Sequence, residues 1–359
     1  MTMKEVYQLC EEIRQWLPLK KWQAMGWALF SLGVVLSERS TLSKVAEKLW
    51  FAGRADSLER RFQRWIANPR IDIRMCCQSW VRWVLSSMVD LEEVMLLVDL
   101  TKLSDRLDIL MVGVAYRKRC IPLTWACLPG NQPWPEGQVS IIAELLKVVA
   151  ASLPTGITPV VQADRGIGHS SNLMAVVEDM GWHFLFRVKQ NAHLQLTDGQ
   201  PVELSALMRP GHSWSGHGIL FPTRRSTPLH VHLVWQRSMS EAWCLATNAP
   251  ALDARRYALR MWQEEGFRDL KSGGWNWQRS QVRSLSHANR LLLVLVLAYT
   301  WTLSLGTLAI RAGKSLRRQL ARGRRRRLSV FRLGLRYFYH LCYRHLPLPL
   351  FLFFRPALL

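Results

Sequence analysis

Two short apolar runs that each end in an acid constrain the fold of this chain more than any other feature. They are Val94-Met-Leu-Leu-Val-Asp99-Leu-Thr101 and Thr158-Pro-Val-Val-Gln-Ala-Asp164-Arg-Gly166. Each run is short, rich in branched residues and bounded by turn residues, the pattern of a strand buried on both faces. An acid just past the end of such a strand lies at the sheet edge, where open α/β folds build their sites. A single acid there is ordinarily a turn residue or a helix cap. Two in the same design predict an α/β core with carboxylates converging on one edge.

A third acid comes from a helix. In Tyr257-Ala-Leu-Arg260-Met-Trp-Gln-Glu264-Glu-Gly-Phe-Arg-Asp-Leu-Lys271 the spacing reads Y-x2-R-x3-E-x6-K. At about 100° per residue, Tyr257, Arg260, Glu264 and Lys271 share a helix stripe roughly 60° wide. Glu265 falls about 100° further round, on the flank. Such a face is equally what i,i+4 ion pairing on a solvated helix looks like. A carboxylate between cations, added to Asp99 and Asp164, suits holding divalent metal against a phosphodiester.

The remaining pattern alternates. Strands are expected at Ile109–Tyr116, Cys120–Cys127 and His183–Val188, with helices at Val139–Ala151 and Asn172–Met180. That order suits a ribonuclease H-like α/β core. The 100 residues separating Asp164 from Glu264 exceed any simple βα connection, and part of them is turn-rich and strand-like. The division that follows is residues 1–88, a helical N-terminal region; 89–197, the first part of the core; 198–250, a β-rich insertion; 251–310, the last part of the core; and 311–359, a basic tail. Within 1–88, Leu42–Leu49 and a second helix from the capping box at Asp56–Glu59 through Trp65 form a helix pair. Arg60, Arg61 and Arg64 make its second helix either a DNA-docking element or the basic face of a plain bundle.

Composition points to a polyanionic partner. The 359 residues carry 48 Lys+Arg against 26 Asp+Glu, a net charge of +22. No acid follows Asp269, whereas 17 Lys and Arg do, nine of them between Arg311 and Arg327. Nucleic acid is the first expectation and an anionic membrane the second. The seven cysteines show no C-x2-C spacing, so neither a disulfide framework nor a zinc site is suggested. Reduced thiols and the lack of a signal-peptide pattern at the N-terminus suit the cytoplasm. Leu291–Ile310 is a 20-residue run without charge. It is long enough for a bilayer, yet its Tyr, Thr, Ser and Gly favour a buried core helix, and no membrane is expected.

At these motifs the chain resembles a DDE transposase of the insertion-sequence-four family, the group with the Y-R-E-K signature. The signature residues, the Asp-x-Thr at Asp99 and Thr101, the Asp-Arg-Gly at Asp164–Gly166 and the strand Trp243–Asn248 carry the resemblance. It covers about residues 94 to 275. It implies Asp99, Asp164 and Glu264 as catalytic acids holding two Mg²⁺, with Mn²⁺ able to substitute. Tyr257, Arg260 and Lys271 would then bind DNA phosphates. The implied partners are double-stranded DNA with terminal inverted repeats, target DNA and a second copy of the chain in a synaptic complex. Members that cut through a DNA hairpin stack a flipped base on a Trp of the insertion; Trp235 is the first choice here, with Trp214 and Trp262 as rivals. Two other readings stay open: a ribonuclease H-like nuclease without strand transfer, and a catalytically idle DNA-binding derivative.

Overall fold

The sheet is organised around one parallel ladder. In the computed structural model, which describes residues 2–89, 91–196, 199–321 and 328–355, β1 (Glu93–Ser104) pairs in parallel with β4 (Thr158–Ala163). The ladder starts at Glu93 and Thr158 and ends at Val98 and Ala163. β4 in turn pairs in parallel with β5 (His183–Arg187). On the other side β1 enters an antiparallel meander with β2 (Leu107–Tyr116) and β3 (Arg119–Pro129). The β1–β2 pairing runs on past Asp99 to Ser104. Asp99 therefore lies within β1 rather than at its end, because β2 keeps pairing where β4 stops.

The strands within residues 198–250, and one strand just before them, share a sheet with those of the core. β6 (His193–Leu196), β7 (Val202–Glu203), β8 (Ser213–Leu220), β9 (Leu229–Val234) and β10 (Trp243–Thr247) join the core strands. The result is one ten-stranded sheet in the order β3-β2-β1-β4-β5-β10-β9-β8-β6-β7. β10 adds antiparallel to β5 and carries the rest outward. This mixed α/β architecture is consistent with a ribonuclease H-like core.

Helices α1 (Met3–Trp16), α2 (Lys21–Ser37), α3 (Leu42–Glu47), α4 (Ala55–Ala67) and α5 (Ile73–Ser86) precede the sheet. α4 starts at Ala55 with Arg54 at its N-cap and no side-chain cap bond, so the Asp56 capping box expected from sequence does not form. α6 (Gln138–Ala150), α7 (Arg165–Gly168) and α8 (Ser171–Asp179) lie between the core strands in sequence. A 3-10 segment (Ala254–Arg260) leads into α9 (Met261–Leu270). The long apolar run becomes α10 (Leu285–Arg311), followed by α11 (Lys314–Leu320) and α12 (Val330–Tyr343).

α10 passes a length-and-hydropathy test for a membrane span, yet its most apolar window is 94% buried inside the protein. Its neighbours explain why. Trp27 Nε1 and Ser31 Oγ of α2 donate to the carbonyls of Leu293 and Val294 at 3.2 and 3.1 Å. Buried Arg290 donates to the carbonyls of Ile66 and Ile71 at 3.1 and 3.3 Å, capping the end of α4. The N-terminal helices and the sheet thus share one hydrophobic core. Much of the unusual Trp content is spent there: Trp27, Trp80, Trp83, Trp275, Trp277 and Trp301 are all fully buried. Burying such large rings stabilises the layers by roughly 25 cal/mol per Å² of apolar surface.

Beyond residue 311, where the sequence shows a basic tail, α12 buries Phe331, Leu335 and Phe338 against the core. Arg322 and Arg324–Arg327 lie outside the described residues. The α10–α12 contact is close because two glycines face backbone. A Cβ at Gly334 would stand 1.9 Å from the Thr302 carbonyl oxygen, and one at Gly306 would stand 2.0 Å from that of Val330. Backbone cannot swing aside as a side chain does. Gly334→Ala is therefore expected to destabilise the fold by about 3 kcal/mol, the upper end for overpacking, despite alanine's better helix propensity. Urea denaturation followed by far-UV circular dichroism measures it, and an unchanged midpoint would disprove the tight crossing.

Candidate active site

The end of the parallel ladder brings the first two acids together. Asp99 follows Val98 and Asp164 follows Ala163, the last paired residues, so both acids leave the ladder at the same level. Asp99 and Thr101 are two residues apart on β1 and so share a sheet face. Asp164 turns the chain into α7, its carboxylate accepting the Ile167 N–H at 3.0 Å as an N-cap. The ordinary capping role and the functional one coincide in this residue.

The third acid is placed by the far side of its helix. α9 lies on β2 and β3 through Gly266, where a Cβ would be 3.2 Å from the Cys120 carbonyl oxygen. Buried Gln263 donates to the Met111 carbonyl at 3.0 Å. Asp269 pairs with Arg119, both buried, and Arg119 Nη1 also holds Glu265 at 3.0 Å. With Gln263, Glu265, Gly266 and Asp269 all committed to the sheet, Glu264 is left facing out, its side chain 47% exposed. The structure thereby separates the adjacent glutamates: Glu265 anchors the helix and Glu264 lines the cleft.

Arg260 links all three acids. Its Nη2 lies 3.4 Å from Asp99 Oδ2 and 3.9 Å from Asp164 Oδ2, and its Nη1 holds Glu264. Tyr257 is buried one 3-10 turn earlier, with Trp243 against its ring at 5.1 Å. The expectation of one continuous α-helical stripe needs correction. Tyr257 and Arg260 belong to the 3-10 segment, and Lys271 sits beyond α9 at its C-cap with φ −89° and ψ −135°. The residues still converge, for two reasons. Positions i and i+3 eclipse in a 3-10 turn, which keeps Tyr257 over Arg260. Lys271 reaches back to β1 and donates to Thr101 Oγ1 and the Lys102 carbonyl oxygen. The 3-10 segment itself is tied to the sheet by Gln162 Nε2, which donates to the Arg256 carbonyl at 2.9 Å.

The electrostatics follow from burial. Asp99 is pushed up to about 6, first by desolvation, then by Asp164 and Glu264, while Arg260 and the Leu100 N–H oppose the rise. Burial also pushes the Tyr257 hydroxyl up, so it stays protonated and able to donate. Lys271 is lowered by burial, with Asp99 acting to raise it. A cleft of about 470 Å³ opens beside these groups, lined by Asp164, Tyr257, Arg260 and Glu264 together with Arg165, Arg187 and Trp243. Sequence reasoning assigned no role to the last three. The available signal was position: Arg165 follows the second acid, and Arg187 and Trp243 sit at ends of the adjacent strands β5 and β10. Glu241 pairs with both Arg165 and Arg187, at 3.1 and 2.7 Å, and holds them at the rim.

Carboxylate oxygens are the donors that hard divalent cations take. Among the described residues no three His, Cys, Asp or Glu stand close enough to share an ion. The Arg260 guanidinium lies among the three acids instead. By chemistry, though not by their present spacing, the three carboxylates suit a hard divalent cation.

The other expected site residues lie elsewhere. Trp235 immediately follows β9 and shares with Trp214 a groove of about 300 Å³. Trp262 lines a different groove with Met95 and Leu259. Arg60 and Arg64 are exposed on α4 and Arg61 is partly buried, while the opposite face packs inward through Phe62 and Trp65.

Residues 137–301 match the family model described as Transposase DDE domain. The match supports a DDE transposase, and with it a metal-dependent nuclease or transposase acting on DNA. It spans Asp164 and Glu264 and begins after Asp99, whose place in the site rests on its contact with Arg260. No curated protein matches the chain.

Cation affinity should report the state of Asp99. Burial raises its pKa, so the carboxyl takes up a proton as the pH falls through about 6 and the site loses a negative charge. Affinity for Mn²⁺, measured by calorimetry, is expected to rise about tenfold per unit up to that pH and then level off, because the ligand must be deprotonated. A flat profile, or an unchanged profile in Asp99→Asn, would remove Asp99 from the ion site.

Proposed function

We propose that this chain is a transposase of the insertion-sequence-four type, cutting and joining the ends of a mobile element by metal-dependent phosphoryl transfer. The observation that carries this reading is the contact of one guanidinium with three carboxylates where the β1–β4 ladder ends. Three acids would be a costly assembly in a part-buried cleft unless a cation is meant to join them. Asp99, Asp164 and Glu264 would hold two Mg²⁺. Bound there, the ions supply Lewis acidity to the phosphoryl oxygens and lower the pKa of the attacking oxygen.

The chain's own residues have distinct tasks. Arg260, released from the acids, presents a planar fork of donors to phosphate oxygens. Lys271, fixed by Thr101 and the Lys102 carbonyl, supplies a point charge beside Asp99. The protonated Tyr257 hydroxyl donates to a phosphate oxygen. In the first step water attacks phosphorus and the bond to the 3′-oxygen breaks, leaving a 3′-hydroxyl and a 5′-phosphate. In the second, that 3′-hydroxyl attacks a phosphodiester of target DNA and displaces another 3′-oxygen, which takes up a proton. Terminal inverted repeats, a target duplex and a homodimer in a synaptic complex complete the proposal. Arg60, Arg61 and Arg64 on α4 would contribute phosphate contacts.

The acids should separate chemistry from affinity. Asp164→Asn and Glu264→Gln are each expected to abolish nicking in Mg²⁺ while DNA affinity stays within about threefold, because phosphate contacts by cations dominate binding. Glu265→Gln should retain nicking and instead lose about 1–2 kcal/mol of stability through the weakened Arg119 contact. Normal nicking by Glu264→Gln, read on a denaturing gel beside a gel shift, would end the assignment.

If excision passes through a hairpin, one terminal base must leave the stack, and Trp235 would hold it. Extrusion costs a few kcal/mol, which stacking on an aromatic face offsets. Trp235→Ala should slow hairpin formation and opening about tenfold or more while sparing the first nick, and Trp235→Phe should keep part of the rate. Since Trp214 lines the same groove, a selective effect of Trp214→Ala would move the role to that residue.

A further inference from the structure

A second cleft, about 480 Å³ in volume, opens at the other end of α7 from Asp164. Asp164 caps the start of this four-residue helix and His169 follows its end. At 1.5 Å per residue the helix is about 6 Å long, roughly two base steps of a DNA strand. The cleft thus lies within one or a few nucleotides of the acids, yet none of the residues lining it belongs to the site already described.

One wall is aromatic and held rigidly. Phe221 adopts φ +59°, a conformation costly for a bulky residue. It is fixed there by backbone bonds: its N–H donates to the His193 carbonyl at 3.0 Å, and its own carbonyl accepts from Arg224 and Arg225 at 2.8 and 3.0 Å. Arg225 is in turn clamped by Glu178 of α8 at 2.9 Å. Pro222 continues the apolar wall. The other wall is polar and cationic. His169 packs edge-on against Phe221, ring centres 5.0 Å apart, and its Nδ1 accepts the Lys189 N–H at 3.2 Å. That bond leaves the proton on Nε2, available to an acceptor. Burial and the nearby Lys189 and Arg224 keep the ring below its ordinary pKa. Arg225 Nη2 is paired with Glu178, whereas among the described residues no carboxylate pairs with Arg224, which lines the cleft. Asn191 and Ser171 also line the cleft and add hydrogen-bonding groups.

A flat apolar surface beside an unpaired cation and a neutral donor suits a molecule with a π-face and a phosphate. We propose that this cleft binds one nucleotide, its base against Phe221 and Pro222 and its phosphate toward His169 and Arg224. The nucleotide belongs to a DNA strand passing the acids or arrives as a free mononucleotide. Only the first source rests on the transposase reading.

Two variants test it in the full-length chain. Phe221→Gly removes the ring and suits the positive φ, and Arg224→Gln changes one exposed side chain. The probes are a duplex bearing the inverted repeats, with single abasic sites scanned along its end, and deoxyadenosine monophosphate, both without divalent metal so that nothing is cleaved. Each variant is expected to weaken binding of the relevant probe about tenfold, in line with loss of one stacked base or one phosphate contact. If the source is DNA, one abasic position weakens the wild type equally and leaves Phe221→Gly unchanged. If the source is free nucleotide, no abasic position matters and the monophosphate shows the variant dependence instead. Variants that bind both probes like the wild type overturn the proposal. So does a loss in Phe221→Gly with no sensitive abasic position and no monophosphate binding, which would assign Phe221 to folding alone. A wild type that binds the monophosphate through Phe221 but binds no DNA keeps this site and defeats the transposase reading; binding of neither defeats both.

Discussion

Two carboxylates at the end of a parallel ladder make a demand that the surrounding structure has to meet. Because Val98 and Ala163 are paired, Asp99 and Asp164 emerge side by side. Burial of Asp99 removes the water that would otherwise screen them, and its pKa rises to about 6 as a result. Like charges desolvated together require a counter-charge or a shared proton. Arg260 supplies the counter-charge here, and its position is why the 3-10 segment and α9 must sit where they do.

Holding that segment explains several features that look unrelated in isolation. Gln162 and Gln263 are buried polar residues whose amides fasten the segment and α9 to the sheet. The buried Arg119–Asp269 pair does the same from β3. A buried pair is weak evidence for stability, since desolvation offsets much of its Coulomb gain, but it fixes helix register. Beneath the sheet, α10 gives these elements a rigid floor, and the N-terminal helices and α12 cover it. A site that must hold charges to within a fraction of an ångström benefits from such support.

Much of this was legible in the sequence. The runs into Asp99 and Asp164 form strands, and β2, β3, β5, α6 and α8 lie within a residue or two of their expected bounds. Periodicity suffices for elements buried on both faces. The acids and the Y-R-E-K residues were also legible, as residue types at a spacing. Misreadings arose where a neighbour in space overrides local pattern. β1 extends past Asp99 because β2 continues to pair. Lys271 lies off the helix because Thr101 and the Lys102 carbonyl capture it. Arg187 and Trp243 went unassigned because their place in one cleft depends on β10 pairing beside β5.

The sequence by itself determined the inventory: apolar runs of strand length, three acids in order, a signature of one hydroxyl, two cations and a carboxylate, and a basic surplus beyond Asp269. These depend on composition and on spacing along the chain, which local propensity translates directly into elements. Only the tertiary structure decided that Arg119 holds Glu265 against the sheet, that the strands of residues 198–250 extend the core sheet, and which helices cover the uncharged run of α10. It also decided that one guanidinium stands among the acids. Each of those outcomes is set by which residues from distant parts of the chain reach the same place, and by which of them burial deprives of water.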